Sequence, residues 1–214
     1  SWVTSANISN GDQVEYKVQV TQEWEHKVVS INFNGTISEW IVDSPSICFI
    51  LSANTITWYN NICGTNVVIP SLYNAHNVTA IGYGAFYNNW LTSVSIPDSI
   101  TIIGGNAFAN NQLSSIFIPN SVITIWDVDE TENGWAFYNN QLNSLVIGNS
   151  VVYIGNKAFW RNNLTSITIP ESVVHLGYVA FGENQLSSIN IPNSVISMND
   201  SVFYDNQISS LSFG

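Results

Sequence analysis

One pattern of about twenty-two residues recurs through the last two thirds of this 214-residue chain. Residues 164–185 read LTSITIPESVVHLGYVAFGENQ, and similar strings begin at Leu91, Leu142 and Leu186. The copy that begins at Leu113 contains seven extra residues. A short unit that repeats at a fixed period buries its apolar positions by stacking on its neighbours. The repeat therefore predicts a solenoid in which each copy forms one coil.

Two residue types stand at fixed places in the coils and predict the solenoid interior. An Ala-Phe pair occurs once per coil, and rings at one place in successive coils are expected to stack into a continuous spine. The pairs are Ala85-Phe86, Ala107-Phe108, Ala136-Phe137, Ala158-Phe159 and Ala180-Phe181, with Val202-Phe203 as the departure. An Asn three residues after each Phe is predicted to satisfy backbone groups at a corner and to link adjacent coils. These residues are Asn89, Asn111, Asn140, Asn162, Asn184 and Asn206.

The full signature, L-x-x-I-x-I-P-x-S-V-x-x-I-G-x-x-A-F-x-x-N, resembles the BspA-like class of leucine-rich repeats over roughly residues 67–214. The resemblance implies a mainly β or α-β fold, a right-handed leucine-rich-repeat superhelix with a parallel sheet. It also implies an origin among bacterial surface and secreted proteins that adhere to host or polymer surfaces. It implies no fixed set of functional residues.

The start of the chain does not follow the repeat. Residues 1–62 alternate apolar and polar side chains as half-buried strands do, which predicts a β-rich N-terminal cap or small β domain. Residues 63–214 are predicted to form the solenoid, with the insertion at about 127–133. A small β-sandwich resembling a carbohydrate-binding module is an alternative for the first region. The residues that suggest it are Trp24, Trp40 and Trp58.

The two cysteines of the chain, Cys48 and Cys63, both lie near the predicted boundary. A disulfide between them is allowed in an oxidising compartment, and two buried free thiols are the alternative.

Charge and composition exclude several classes of partner. Four Lys and Arg stand against fifteen Asp and Glu, and the net charge of -11 opposes phosphate backbones and anionic membranes alike. We therefore expect no nucleic-acid partner, and no apolar run is long enough for membrane insertion. Charged residues make up only 9% of the chain, so Asn, Ser and Thr must cover the surface. This coat favours a secreted or cell-surface location.

Catalytic motifs are not found in the sequence. It contains no Gly-x-Ser-x-Gly, His-Glu-x-x-His, P-loop or Cys-x-x-Cys pattern, and its three histidines are scattered. Two carboxylates of the insertion could in principle act as a glycosidase pair. Solenoids of this kind seldom form the deep pocket that such chemistry needs, so we predict a protein that is not an enzyme and has no cofactor.

The insertion is the first candidate ligand site, because loops that interrupt a solenoid often lie on its binding face. Its sequence, WDVDETENGW, places carboxylates between two tryptophans. Carboxylates accept hydrogen bonds from sugar hydroxyls while an indole stacks on the ring, so the insertion predicts sugar binding. Oxygen ligands at alternate positions also leave calcium open, although the EF-hand spacing is absent. The candidates are Trp126, Asp127, Asp129, Glu130 and Trp135.

Residues at one position in successive coils form a column, and each should lie near its counterpart one coil away. The column formed by the residue after each Phe adds further candidates on the surface. Tyr138 and Trp160 occupy this column in adjacent coils, and Arg161 follows Trp160. Tyr153 is expected to flank the base of the insertion. Together these residues predict a non-catalytic module that binds an extended polysaccharide.

Two alternatives remain open on the same sequence. The first strand of each coil presents mostly Ser outward, and Phe117 with Val146 forms an apolar exception. This face could bind a host or matrix protein, which would make the chain an adhesin with an interaction role. A spacer that holds other domains away from a cell surface is the second alternative.

Overall fold

The computed structural model describes residues 13–20, 23–31, 37–39, 48–73, 76–125 and 134–214, and for the first three ranges only the backbone. The chain divides into two compact units, Ser1–Cys48 and Phe49–Gly214. In the part of the chain so described, no helix is long and apolar enough to cross a bilayer.

The first unit contains a three-stranded antiparallel sheet in the order β1-β2-β3. Its strands are β1 (Gln13–Val20), β2 (Glu23–Ile31) and β3 (Ile37–Glu39). The register between β2 and β3 shifts at Ser30 and Ile31. The β-rich character predicted for this region is confirmed.

The described residues of the second unit form short strands and one short 3-10 helix, Asn61–Cys63. Before the regular coils it contains β4 (Phe49–Ser52), β5 (Thr55–Tyr59), β7 (Leu72–Tyr73) and β8 (His76–Asn77). The first strands of the coils are β6 (Asn66–Val68), β10 (Ser93–Ser95), β12 (Ser115–Phe117), β14 (Ser144–Val146), β17 (Ser188–Ile191) and β19 (Ser210–Phe213). The second strands are β9 (Ala80–Ile81), β11 (Ile102–Ile103), β13 (Thr124–Ile125), β15 (Tyr153–Ile154), β16 (His175–Leu176) and β18 (Ser197–Met198).

The long sheet of the second unit is formed by the second strands. They pair in parallel, and the whole sheet has the order β18-β16-β15-β13-β11-β9-β5-β4. Ile81, Ile103 and Ile125 stand in register and are fully buried, so each coil adds one apolar side chain to the same row. The first strands pair only in twos, as β6 with β10, β12 with β14, and β17 with β19. The predicted solenoid with a parallel sheet is confirmed.

The hairpin of β4 and β5 belongs to this sheet. Strand β5 pairs in parallel with β9, and β4 pairs antiparallel with β5. The compact unit therefore begins at Phe49. The repeat pattern predicts a later start of the solenoid, at residue 63. Cys48 and Cys63, which precede and follow the hairpin, are both disulfide-bonded and neither is a free thiol.

The predicted phenylalanine spine is confirmed. Its rings stack nearly parallel through six coils, and those of the first five coils are fully buried. The centroid distances are 4.9 Å for Phe86–Phe108, 5.2 Å for Phe108–Phe137 and Phe137–Phe159, 5.3 Å for Phe159–Phe181 and 5.9 Å for Phe181–Phe203. At the N-terminal end, the rings of Tyr59 and Phe49 pack on Phe86. The β4–β5 hairpin thus covers the end of the spine that would otherwise be open.

The predicted role of the Asn three residues after each Phe is also confirmed. We name this row of side chains the asparagine ladder, and Asn162 illustrates it. The Oδ1 of Asn162 accepts a hydrogen bond from the backbone N–H of Leu142 in the preceding coil, at 3.1 Å. Its Nδ2 donates to the carbonyl oxygens of Phe137 at 3.0 Å and Phe159 at 3.1 Å. One buried side chain therefore satisfies backbone groups of two coils, which unpaired would destabilise the fold.

Gly148 provides a first test of how closely the coils approach one another. Five other coils have proline at this place, namely Pro70, Pro97, Pro119, Pro170 and Pro192. A Cβ at Gly148 would overlap the carbonyl oxygen of Pro119 and lie 2.6 Å from its carbonyl carbon. Gly148→Pro restores the repeat pattern, yet we expect it to lower the free energy of unfolding by about 1–3 kcal/mol.

Urea denaturation followed by circular dichroism measures this effect. Gly148→Ala should shift the midpoint in the same direction, because the clash involves only the Cβ. A midpoint that stays constant or rises in either variant would show that the two coils separate freely here.

Candidate ligand-binding site

Three aromatic rings meet on one side of the solenoid, on the turns that carry the Ala-Phe pairs. The ring of Trp135 lies 4.9 Å from Tyr138 and 5.9 Å from Trp160, and Tyr138 lies 4.9 Å from Trp160. All three side chains are partly exposed. The structure therefore brings together three of the predicted site residues, and Trp135, Tyr138 and Trp160 are named the aromatic cluster.

The local backbone explains why these side chains project outward. In most coils the residue before the Ala-Phe pair and the second residue after it have positive φ, as Lys157 (55°) and Arg161 (56°) do. Two such left-handed residues turn the chain sharply around the buried Ala and Phe. The residues that flank the pair then form the outer surface, which we name the turn face. Asn, which tolerates this conformation well, fills the second position in three coils.

A small residue in the next coil stands beside Trp160. Gly182 occupies the column of Tyr138 and Trp160. A Cβ at Gly182 would overlap Val179 and lie 3.5 Å from Cδ1 of Trp160. The indole Nε1 of Trp160 is buried and has no hydrogen-bond partner among the described residues. Trp160 can therefore offer a ligand its ring but not its N–H.

Lys157 contacts two rings of the aromatic cluster. Its Nζ lies 4.8 Å from the ring centroid of Trp135, 5.2 Å from that of Trp160 and 5.7 Å from that of Tyr178. An ammonium over aromatic faces is attracted by their electron density, with about 0.5–1 kcal/mol at exposed sites. Lys157 therefore favours the present arrangement of the rings.

Arg161 also contacts the cluster. Its guanidinium carbon lies 4.8 Å from the Trp160 ring, its Nη1 donates to Tyr138 Oη at 3.2 Å, and its Nε pairs with Glu183 at 2.8 Å. The hydrogen bond to Glu183, followed by the one to Tyr138, raises the pKa of Arg161. The ion pair is exposed and adds little stability, but it fixes the orientation of the guanidinium plane.

A depression adjoins the cluster on the same turn face. It has a volume of about 510 Å³ and is lined by Tyr83, Gly84, Tyr87, Asn106, Asn110 and Trp135. This volume lies within the range of small-molecule sites, roughly 300–1,000 Å³. We name it the trough. Tyr83, Asn106 and Asn110 were not among the residues predicted from the sequence.

Two predicted residues lie on strands instead of the turn face. Tyr153 belongs to β15 of the eight-stranded sheet, where its ring stacks on His175 at 4.7 Å. It pairs with Thr124, just before the insertion. Phe117 belongs to β12 and is paired in register with Val146 of β14. Burial lowers the pKa of His175, which disfavours a charge beside Tyr153.

The remaining candidates of the insertion lie outside the described residues, which stop at 125 and resume at 134. They are Trp126, Asp127, Asp129 and Glu130. The calcium alternative depends on the same residues. Among the residues that are described, no group of three or more His, Cys, Asp or Glu is placed to bind a metal ion.

Comparison with known proteins gives similarity to solved structures and to one family. No curated protein matches the sequence. A leucine-rich repeat protein from Eubacterium ventriosum ATCC 27560 is 20% identical with a TM-score of 0.48, over 75% of this chain and 39% of that one. A leucine rich cell surface protein from Faecalibacterium prausnitzii A2-165 is 21% identical with a TM-score of 0.30, over 78% and 74% of the two chains. A leucine-rich repeat protein from Bacteroides capillosus ATCC 29799 is 19% identical with a TM-score of 0.34, over 92% and 98%.

The chain thus spans less than half the length of the first of these proteins. The family model of the BspA type leucine rich repeat region matches residues 54–128 and 132–214 in six copies. The match includes the β5 segment, which the repeat signature did not cover, and extends to the last residue of the chain. The chain therefore belongs to the BspA-type leucine-rich-repeat family.

Proposed function

We propose that the second unit is a non-catalytic carbohydrate-binding module, secreted or held at a cell surface, that binds an extended polysaccharide on its turn face. The observation that supports it best is the aromatic cluster, in which three rings stand within 6 Å of each other on partly exposed side chains. The C–H groups of a sugar ring pack against such faces, while its hydroxyl groups remain free for hydrogen bonds.

The cluster is also arranged before any ligand arrives. Lys157 and Arg161 both contact the rings, and Tyr138 is fixed by its hydrogen bond to Arg161. A site that is already ordered loses less conformational entropy on binding, so more of the contact energy appears as affinity. Glu183 is engaged by Arg161, and the trough contributes amides and phenols. These groups support binding more than acid–base chemistry.

Substitution of the cluster tests the proposal. Trp135→Ala and Trp160→Ala should each weaken binding about tenfold to a hundredfold, or about 1.4–2.8 kcal/mol, because each removes one stacking face. The measurement is affinity gel electrophoresis on a panel of soluble polysaccharides, in which a bound polymer retards the protein.

Tyr204→Ala is the matched control, because Tyr204 occupies the same column as Trp160 but is exposed and lies two coils away. We expect it to leave retardation unchanged. Equal losses in Tyr204→Ala and Trp160→Ala would count against a site at the cluster, and a native protein that no polysaccharide retards would remove the proposal.

A protein-binding role is the second candidate, and the exposed pair of Phe117 and Val146 favours it. They stand side by side in register on β12 and β14 and are 56% and 50% exposed. The pair is small compared with a stable protein interface, which is why we rank it second. Phe117→Ser separates the two functions, because it should abolish capture of a matrix protein but leave glycan retardation intact.

A further inference from the structure

The trough exists because the aromatic column of the turn face is interrupted. Tyr87 and Tyr138 occupy this column, but the coil between them has the fully buried Ala109 at the same place. Tyr83 and Tyr87 therefore stand on one side of an opening and Trp135 on the other. The spine rings of these coils are 4.9 Å and 5.2 Å apart, so the two walls are separated by two coil spacings.

Amide groups form the part of the trough between the walls. Asn106 Nδ2 donates to Tyr83 Oη at 2.9 Å, and Asn110 Nδ2 donates to Tyr87 Oη at 2.9 Å. Each tyrosine hydroxyl therefore accepts a hydrogen bond from the protein and keeps its own proton to donate to a ligand.

Asn106 adds an acceptor to these two donors. Its side chain is nine-tenths buried, at 9% exposure, and lines the trough. No described residue donates a hydrogen bond to its Oδ1. The trough therefore offers O–H donors and an amide acceptor close together. A sugar hydroxyl both donates and accepts, and it matches this combination better than a group with a single role.

The charges around the trough indicate which sugars would fit. None of the described residues that line it is charged. Of the cations at the aromatic cluster, Lys157 lies over the rings of Trp135, Trp160 and Tyr178, and Arg161 pairs with Glu183. The chain as a whole carries a net charge of -11. A carboxylated sugar would find no cation among the described residues that line the trough and would be repelled by the protein at long range.

We propose that the trough holds one uncharged hexopyranose unit of a polysaccharide that runs along the stack of coils, a step that rests on the function proposed above. Neighbouring coils are about 5 Å apart, the distance between hydrogen-bonded strands. A pyranose linked through opposite ends advances its polymer by a similar length. One unit in the trough thus places the next over Trp135 and a third over Tyr138 and Trp160.

The test compares two classes of polymer and two groups of variants by affinity electrophoresis. The neutral probes are hydroxyethylcellulose, glucomannan and laminarin, and the acidic probes are polygalacturonate and alginate. We expect at least one neutral polymer and neither polyuronate to retard the native protein. The double variant Tyr83→Ala/Tyr87→Ala should weaken this binding about tenfold or more, as should Trp160→Ala, while Tyr204→Ala should not.

The outcomes separate this inference from the proposed function. Because Tyr83 and Tyr87 are 57% and 49% exposed, their removal should not unfold the coils, which circular dichroism checks. If the double variant binds a neutral polymer as the native protein does while Trp160→Ala does not, the trough is not a subsite and the aromatic cluster alone binds. Preference for a polyuronate would overturn the assignment to neutral sugars. Failure of every polymer to retard the native protein would remove both proposals.

Discussion

Replacing Asn162 by Asp is expected to lower the free energy of unfolding of the second unit by about 3–5 kcal/mol at neutral pH, the range found when a buried charge lacks its partner. The substitution keeps the shape and the Oδ1 acceptor of the side chain. It replaces the Nδ2 donor, which bonds the carbonyl oxygens of Phe137 and Phe159, by an oxygen. The introduced carboxylate would face carbonyl oxygens that repel it, in a site where Asn162 is only 6% exposed.

The effect of Asn162→Asp should depend on pH with a defined sign. The protonated carboxyl can donate to one of the carbonyls, so the folded state favours the protonated form and raises its pKa above the unfolded value of about 3.9. Such a group contributes stability below the unfolded pKa, and this contribution is lost as pH rises through the folded pKa. The difference in stability from the native protein should therefore be smallest near the unfolded pKa and largest at neutral pH.

Asn163→Asp is the matched control, since it adds the same charge one residue away on an exposed side chain. We expect a change within about 0.5 kcal/mol, as for most surface substitutions. Urea denaturation at several pH values measures both variants. Similar losses in the two, or a loss in Asn162→Asp that does not diminish in acid, would contradict the role assigned to the asparagine ladder.

The interior of the solenoid could be predicted from the sequence because each coil has the same type of residue at the same position. A Phe at one position per coil has a ring as its neighbour on each side, and an Asn at one position per coil has the same backbone groups within reach. The aromatic cluster follows from the same reasoning, since Tyr138 and Trp160 share a column. Residues that are one repeat apart in the sequence therefore lie next to each other in the fold, and no other contact information is needed to predict this.

Two kinds of feature could not be predicted from the repeat. One is a gap left by a small residue, and the other is a contact between side chains at different positions of the repeat. The trough results from Ala109, a small residue in a column of larger ones, and no motif marks such a gap. Lys157 and Trp135 occupy the same position in neighbouring coils, but the contact of Lys157 with Trp160 joins two different columns. Six strands of the eight-stranded sheet are only two residues long, which is too short to show the alternation that identifies a strand in a sequence.

Replacing Phe137 by Ala is expected to cost about 3–5 kcal/mol of unfolding free energy, the usual cost of removing a fully buried aromatic ring. Phe137 is fully buried between Phe108 and Phe159, at 5.2 Å from each. Its loss would open a cavity in the middle of the spine. Neither neighbouring ring can move to fill this cavity without losing its contact with the next ring along the spine. Because stability in a solenoid is largely a sum over neighbouring coils, the damage should be local.

Phe203→Ala tests this locality, because Phe203 stands at the last stacked position, is partly exposed and has one ring neighbour, Phe181, among the described residues. Its cost should be clearly smaller than that of Phe137→Ala in urea denaturation. Phe137 also lies between Trp135 and Tyr138 in the chain, so Phe137→Ala should weaken glycan binding in the folded protein, whereas Phe203→Ala should not. Equal costs for the two variants would mean that the unit unfolds as one body in which position along the spine does not matter.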